Sequence, residues 1–291
     1  MEKLRIVGVP EHFNFPWIEV VNSQPFLDEG ILLEWRNEPK GSGAMNKDIR
    51  EGNVDIAIIL TESFIKDKAE GNPARIIGWH VKSRLIWGIH ISSKTVEETI
   101  DEVKNSPFLI SRFGSGSHLM AFLLAEREGW DSTKLKFEVI GDLEGAKLAF
   151  ESPDPRIFLW EKFTTKPLVD QGLFKRIGEI PTPWPCFVIV ASDKILNRKP
   201  DLVKKLRDLV YLKSEALMKR DDLCEIIGKK YGIQVEDIKA WRKQTEWCTD
   251  AKINYEILEN TIAILHQLGL LPHKSEVTPK QLVEERLVSL Q

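Results

Sequence analysis

The sequence predicts an α/β protein built on mixed, mostly parallel sheet. Short apolar runs such as residues 4–9 and 54–60 have the length of strands, and stretches of helical length separate them. Those separations are too long for hairpins, so the strands connect by crossovers, which implies parallel pairing with helices on the sheet faces. From Pro200 the pattern turns almost wholly helical, with Leu202, Val203, Leu206, Leu209, Val210 and Leu217 recurring at helical spacing.

Composition narrows the class further. The 291 residues suggest one large domain or two lobes, and 42% hydrophobic with 29% charged residues is ordinary for a globular chain with a core to bury. A net charge of −3, from 41 basic and 44 acidic residues, argues against a dedicated nucleic-acid binder. Three widely spaced cysteines, Cys186, Cys224 and Cys248, indicate neither a disulfide framework nor a zinc site. The N-terminus enters a strand-like run directly, without a signal peptide's apolar core, and no later stretch has the length of a membrane helix. The chain as given is therefore expected to be cytoplasmic, or periplasmic or extracellular if a leader was removed.

Taken in order, residues 4–9 read as a buried strand ended by Pro10, and a polar and aromatic loop, Glu11 to Trp17, follows. A helix is expected over residues 16–23, with Pro16 in its first turn where the missing N–H costs nothing. Residues 31–35 form a second strand, the loop over 38–43 leads into a helix ending at Gly52, and residues 54–60 form a third strand before a helix over 62–68. Residues 74–81 and 85–91 read as two strands, and residues 94–105 as a polar helix. A second αβ unit begins with the apolar run ending at Ile110. It continues through a capped turn into a helix stopped by Gly129, then a strand over 135–140, a helix over 143–150 and a strand over 156–160. Pro181, Pro183 and Pro185 stiffen the chain before an apolar strand over 187–191. Helices over 221–231, 235–241 and 253–268 complete the tail, and no internal repeat is visible.

In open α/β sheets ligands sit beyond the carboxyl ends of the strands, so the loops there supply the candidate residues. Ser111, Gly114, Ser115, Gly116, Ser117 and His118 span a strand–turn–helix junction. A helix start there offers unpaired N–H groups and partial positive charge, which suits an anion or polar group. Gly41, Ser42 and Gly43 offer a second such start. His12, Phe13, Asn14 and Trp17 could supply hydrogen bonds and aromatic walls, Trp160 and Glu161 end a strand at the ligand edge, and Trp184 between prolines could form a rigid wall. Trp79, Trp87, Trp241 and Trp247 are expected in the core, and His80, His90, His266 and His273 in structural or surface roles, since they lack metal-ligand spacing. Residues 114–118 do not fit a dinucleotide fingerprint, a Walker loop or a nucleophile elbow.

The order of these pieces resembles type II periplasmic substrate-binding proteins, in the branch holding the sulfonate, taurine and nitrate binders and the thiamine-pyrimidine synthases. The resemblance runs from Gly41 to Met45 through Gly52, Asp55, Ile56 and Ala57, then Gly114-Ser115-Gly116-Ser117-His118, then Phe158-Leu159-Trp160-Glu161, and ends in the helical tail. It implies a two-lobed fold with a helical C-terminal tail, each lobe a mixed, mostly parallel sheet flanked by helices. Residues 1–88 and 190–291 would form lobe one and residues 89–189 lobe two, with crossing segments near residues 85–92 and 185–192. The implied function is binding of a small polar, anion-bearing metabolite in the interlobe cleft, closed by a hinge motion, with an ABC transporter permease as a possible partner. No nucleic-acid partner, membrane insertion, metal or cofactor is expected. The alternative is a cytosolic enzyme on the same fold, related to thiamine-pyrimidine synthase or chorismate dehydratase, although the clustered cysteines of the former are absent and no catalytic residue is identified. Replacing Ser115 and Ser117 with alanine is expected to weaken ligand binding and leave folding nearly intact.

Overall fold

The computed structural model describes residues 1–272 and 276–291; His273 lies outside the described residues. Its centre is an eight-stranded sheet in the order β2-β1-β3-β8-β4-β7-β5-β6. The strands are β1 (Glu2–Gly8), β2 (Ile31–Asn37), β3 (Ile56–Leu60), β4 (Ala74–Ser92), β5 (Phe108–Ile110), β6 (Phe137–Val139), β7 (Ile157–Glu161) and β8 (Phe174–Ser192). Pairing is parallel at both flanks, β2-β1-β3 and β7-β5-β6, and antiparallel through the centre. All five residues of β3 are buried, which is why a strand covered on both faces reads as an unbroken apolar run.

Two strands of 19 residues each, β4 and β8, run antiparallel from the pair Ala74 and Ser192 to the pair Ser92 and Phe174. The two strands expected at 74–81 and 85–91 are therefore one. The polar Lys82, Ser83 and Arg84 mimic a turn in the sequence, but the chain stays extended through them. The register slips between Val81 and Ile86, opposite Pro181 and Pro185; proline has no N–H to give a ladder and gathers where pairing breaks. On one side of this break β3 pairs with residues 187–191 of β8, and on the other β7 pairs with residues 87–90 of β4.

The topology of the two flanks is the same. In the first, β1, α1 (Phe15–Ser23), β2, α2 (Ser42–Arg50) and β3 follow one another; in the second, β5, α4 (Gly116–Glu128), β6, α5 (Leu143–Ala149) and β7 do so, with α3 (Thr61–Ala69) between the two series. A repeat absent from the sequence is thus present in strand order. The polar helix expected over 94–105 does not form: the segment is turns and one short 3₁₀ stretch, Asp101–Val103. Its Thr95, Val96, Thr99 and Ile100 are β-branched, which weakens helix propensity. The Glu102 carboxylate also accepts the Glu98 and Thr99 N–H groups, 2.9 Å each, satisfying the backbone locally instead.

After α6 (Lys166–Asp170) and β8, the chain forms α7 (Asp193–Arg198), α8 (Pro200–Met218), α9 (Leu223–Tyr231), α10 (Val235–Gln244), α11 (Tyr255–Gln267) and α12 (Pro279–Leu282). A small parallel pair, β9 (Lys252–Ile253) and β10 (Ser289–Leu290), ties the C-terminus back. Helix α8 is anchored to β4 by two buried polar side chains. Arg207 donates to the Ile77 carbonyl at 2.9 Å and to that of Leu287, and the Tyr211 hydroxyl donates to the Trp79 carbonyl at 2.9 Å. Trp79, Trp87, Trp241 and Trp247 lie in the core. His80 and His90 are buried, and burial holds their imidazoles neutral, with pKa values down to about 4 and about 3; His266 is exposed. The three cysteines are buried free thiols.

Gly78 leaves room for the Tyr211 anchor, since a Cβ there would overlap the Tyr211 hydroxyl. Gly78→Ala should therefore lower unfolding free energy by about 1–3 kcal/mol through overpacking of a closed core, read from the midpoint of a urea titration.

Candidate ligand-binding site

The carboxyl ends of the parallel strands in both flanks point to one cavity. Its wall takes Val9 and Glu11 from beyond β1, Lys40, Gly41 and Ser42 from beyond β2, and Leu60 from the end of β3. The other flank contributes Ser111, Ser115, Gly116 and Ser117 from beyond β5, and Trp160 and Glu161 from the end of β7. Leu85, Trp87 and Phe187 from the two long strands form the floor. The inner cavity holds about 50 Å³. An outer one of about 230 Å³ shares Val9, Glu11 and Trp160 with it and adds Pro39, Asp142, Glu144 and Thr164.

Two helices begin at this cavity. Helix α4 starts after Ser115, whose hydroxyl accepts the His118 N–H at 3.4 Å and lies 3.0 Å from that of Ser117. The Ser117 hydroxyl in turn accepts the Ser111 N–H at 3.1 Å. These hydroxyls shape the turn, so the groups left for a ligand are the first backbone N–H groups of the helix, which have no intrahelical partner. Helix α2 starts after Gly41, whose φ of +75° favours glycine, and Ser42 binds the Leu60 N–H at 3.0 Å. Trp87 closes over Gly116, and its buried indole N–H has no hydrogen-bond partner among the described residues.

Eight of the sequence-derived candidates thus meet in the cavity wall: Gly41, Ser42, Ser111, Ser115, Gly116, Ser117, Trp160 and Glu161. The others are placed elsewhere. A 3₁₀ turn at His12–Asn14 swings its side chains into the core. His12 packs 4.5 Å from the Trp241 ring, Asn14 donates to the Val9 carbonyl at 2.8 Å, and Phe13 and Trp17 are buried among apolar neighbours. His118 accepts the Gly114 N–H at 3.0 Å and packs on Phe137, which gives both residues a part in shaping the turn. Gly43 lies under the Arg112 guanidinium, which donates to the Lys40 carbonyl at 2.6 Å. Trp184 is buried in β8 with its indole N–H bound to Glu62 at 2.7 Å. Val9, Glu11, Lys40, Leu60, Leu85 and Phe187 line the cavity without having been candidates, and Trp87, expected in the core and buried there, reaches it too. Glu11 had a usable signal, as the first residue past the Pro10 that ends a strand, whereas Trp87 and Phe187 sit in strands whose crossing is not legible from local pattern.

The electrostatics of the wall are acidic. Burial, with a smaller contribution from the Glu161 charge, pushes the Glu11 carboxyl up to about 8. Burial also raises Glu161 to about 7, although its Oε2 accepts the N–H groups of Phe163 at 3.0 Å and Thr164 at 2.7 Å. Glu62 behind the wall is raised to about 7 by the same cause. Cys186, between them on β8, has its thiol held well above the usual range by burial and these three carboxyls. Among the described residues no group of three or more potential ligands could hold a metal ion.

Comparison with solved structures decides the fold. The Candida albicans CA3427 gene product, described as having the generic periplasmic binding protein fold, matches with a TM-score of 0.88 and 27% identity over 100% of this chain and 99% of that one. The chain has the type II periplasmic-binding-protein fold. The alkanesulfonate-binding protein SsuA from Xanthomonas axonopodis pv. citri, bound to MOPS, shares that fold at TM-score 0.76 and 13% identity, over 100% of this chain and 99% of its own. A ligand-binding component of an ABC-type import system from Staphylococcus aureus, with zinc bound, does so at TM-score 0.75 and 14% identity, over 99% and 98% of the two chains. A family model described as "Ca3427-like PBP" matches residues 87–180, the stretch from the floor of the cavity through the second flank to β8. No curated protein gives a significant match.

Two consequences are measurable without a ligand. Ser115→Ala removes a helix cap and should cost about 1 kcal/mol of stability in chemical denaturation, which sets the small loss expected of a fold left nearly intact by the Ser115 and Ser117 replacements. Because the Glu11 pKa is raised on folding, the folded state binds more protons than the unfolded one from about 4.5 up to about 8, and stability falls as pH rises through that window. Glu11→Gln should remove this loss: near wild-type stability at pH 5 and higher than wild type at pH 9, compared by urea titration.

Proposed function

We propose that the chain is a solute-binding protein that takes a small polar molecule bearing an anionic group. The observation that carries this reading is the convergence of two helix N-termini, those of α2 and α4, on one cavity. Each offers unpaired N–H groups and a positive dipole end, and the buried Trp87 indole N–H adds a third donor type. The aromatic walls, Trp87, Trp160 and Phe187, suit the apolar part of such a ligand.

In this reading residues 1–88 with 190–291 and residues 89–189 act as two lobes. Their junction lies at the register break between Val81 and Ile86, opposite Pro181 to Pro185. A ligand touching both helix starts would favour a closed arrangement through its differential contacts. No helix is long and apolar enough to cross the membrane, and the likeness to import-system binding components supports a permease as the partner class.

The experiment is titration calorimetry and thermal denaturation against alkanesulfonates (MOPS included), carboxylates and phosphates. One class should bind and, at a hundredfold excess over Kd, stabilise the fold by about 2.7 kcal/mol, with a change in tryptophan fluorescence from Trp87 and Trp160. Failure of every anion class to bind would overturn the reading.

A further inference from the structure

The cavity that receives the two helix starts also carries two buried carboxyls, which an anionic ligand leaves unexplained. Glu11 comes from the first flank and Glu161 from the second; they are 8% and 4% exposed, and both line the inner cavity. Neither forms an ion pair among the described residues. Glu161 satisfies one oxygen with the Phe163 and Thr164 donors, 2.7–3.0 Å away, and its other oxygen makes no hydrogen bond among the described residues. Glu11 has the Trp160 side chain as its polar neighbour. The outer cavity continues the same sign, with Asp142 and Glu144 on its wall beside Glu11. Lys40 is the basic residue in the lining, and its side chain is exposed.

Two carboxylates brought close in a water-poor space are costly unless a positive group lies between them or they hold a proton. We infer that Glu11 and Glu161 form a two-carboxylate seat for a cationic nitrogen, so that the ligand carries a protonated amine or amidine as well as its acidic group. The Trp160 ring, which stacks on Phe158 at 5.3 Å, supplies an aromatic face beside that nitrogen. This rests on the cavity being the ligand site. The seat is also a selectivity filter, because an uncharged end placed there would leave the carboxyls desolvated and unpaired.

Protons follow the ligand in a defined direction. The groups facing Glu11 are Glu161, the Trp160 indole, the Tyr231 hydroxyl and, on β8, the Cys186 thiol, with Lys40 on the rim. None is a buried cation, so the empty seat holds protons at neutral pH and releases them as the cationic nitrogen enters. Affinity for such a ligand therefore rises with pH, while affinity for a ligand whose acidic group accepted a proton from these carboxyls would fall.

Matched probes separate the possibilities: 3-aminopropane-1-sulfonate against butane-1-sulfonate, and 4-aminobutyrate against pentanoate, titrated by calorimetry at pH 6 and pH 8.5 in buffers of different ionisation enthalpy. In at least one pair the amino member should bind at least tenfold tighter at pH 8.5. Its affinity should rise from pH 6 to pH 8.5 with protons released to the buffer, and Glu11→Gln should bring the two members within threefold. Equal or tighter binding of the amine-free member, or affinity that falls with pH, would overturn the two-carboxylate seat and leave the anion site standing. Binding of neither member of any pair would overturn the site reading itself and this inference with it. The proton count on the unmodified protein decides the question should Glu11→Gln fail to fold.

Discussion

Everything else in the molecule hangs on the antiparallel ladder between β4 and β8. At the usual rise per residue a 19-residue strand reaches about 60 Å, longer than a single small sheet requires. One ladder can therefore serve as the centre of two flanking sets of parallel strands. Because each set runs with its carboxyl ends toward the same region, the segments that follow β1, β2 and β5 and the ends of β3 and β7 are delivered to one cavity. The prolines at 181 and 185 fall where the ladder slips register, between the part of it that pairs with β3 and the part that pairs with β7.

The parts of this plan that were legible in the sequence are those whose burial is local. Strand β3 is covered on both faces and announces itself as an apolar run, and α8 shows a regular apolar stripe. The two long strands were not legible as single units, because Lys82 to Arg84 read as a turn and the first half of β8 mixes charges with apolar residues. A polar stretch such as residues 94–105 looked helical because propensity ignores the side-chain bonds by which Glu102 and Thr99 occupy the backbone. The site divides the same way. Gly41, Ser42, Ser115 and Gly116 were legible as cavity lining because they start the helices after β2 and β5, and Glu161 because it ends β7. His12 to Trp17 misled, since aromatic and polar residues that pack against Trp241 and Trp247, more than two hundred residues away, look locally like a binding loop.

Charge in the interior is arranged with a clear asymmetry. The buried Arg207 guanidinium is saturated by carbonyls and the neighbouring Asp208 and holds α8 to the sheet. The acidic side chains around the cavity are not saturated by partners of opposite sign. Two helix starts reach the same cavity, so backbone N–H donors and buried carboxyls share one lining.

The same three carboxyls bear on the chemistry of Cys186 in the middle of β8. With its thiol held protonated and almost fully covered, the sulfur is a poor nucleophile in the native fold. Alkylation of Cys186 must then wait for the central ladder to part, and its rate becomes a clock for that opening. The chain thus carries, within its central ladder, a chemical reporter of how often that ladder opens.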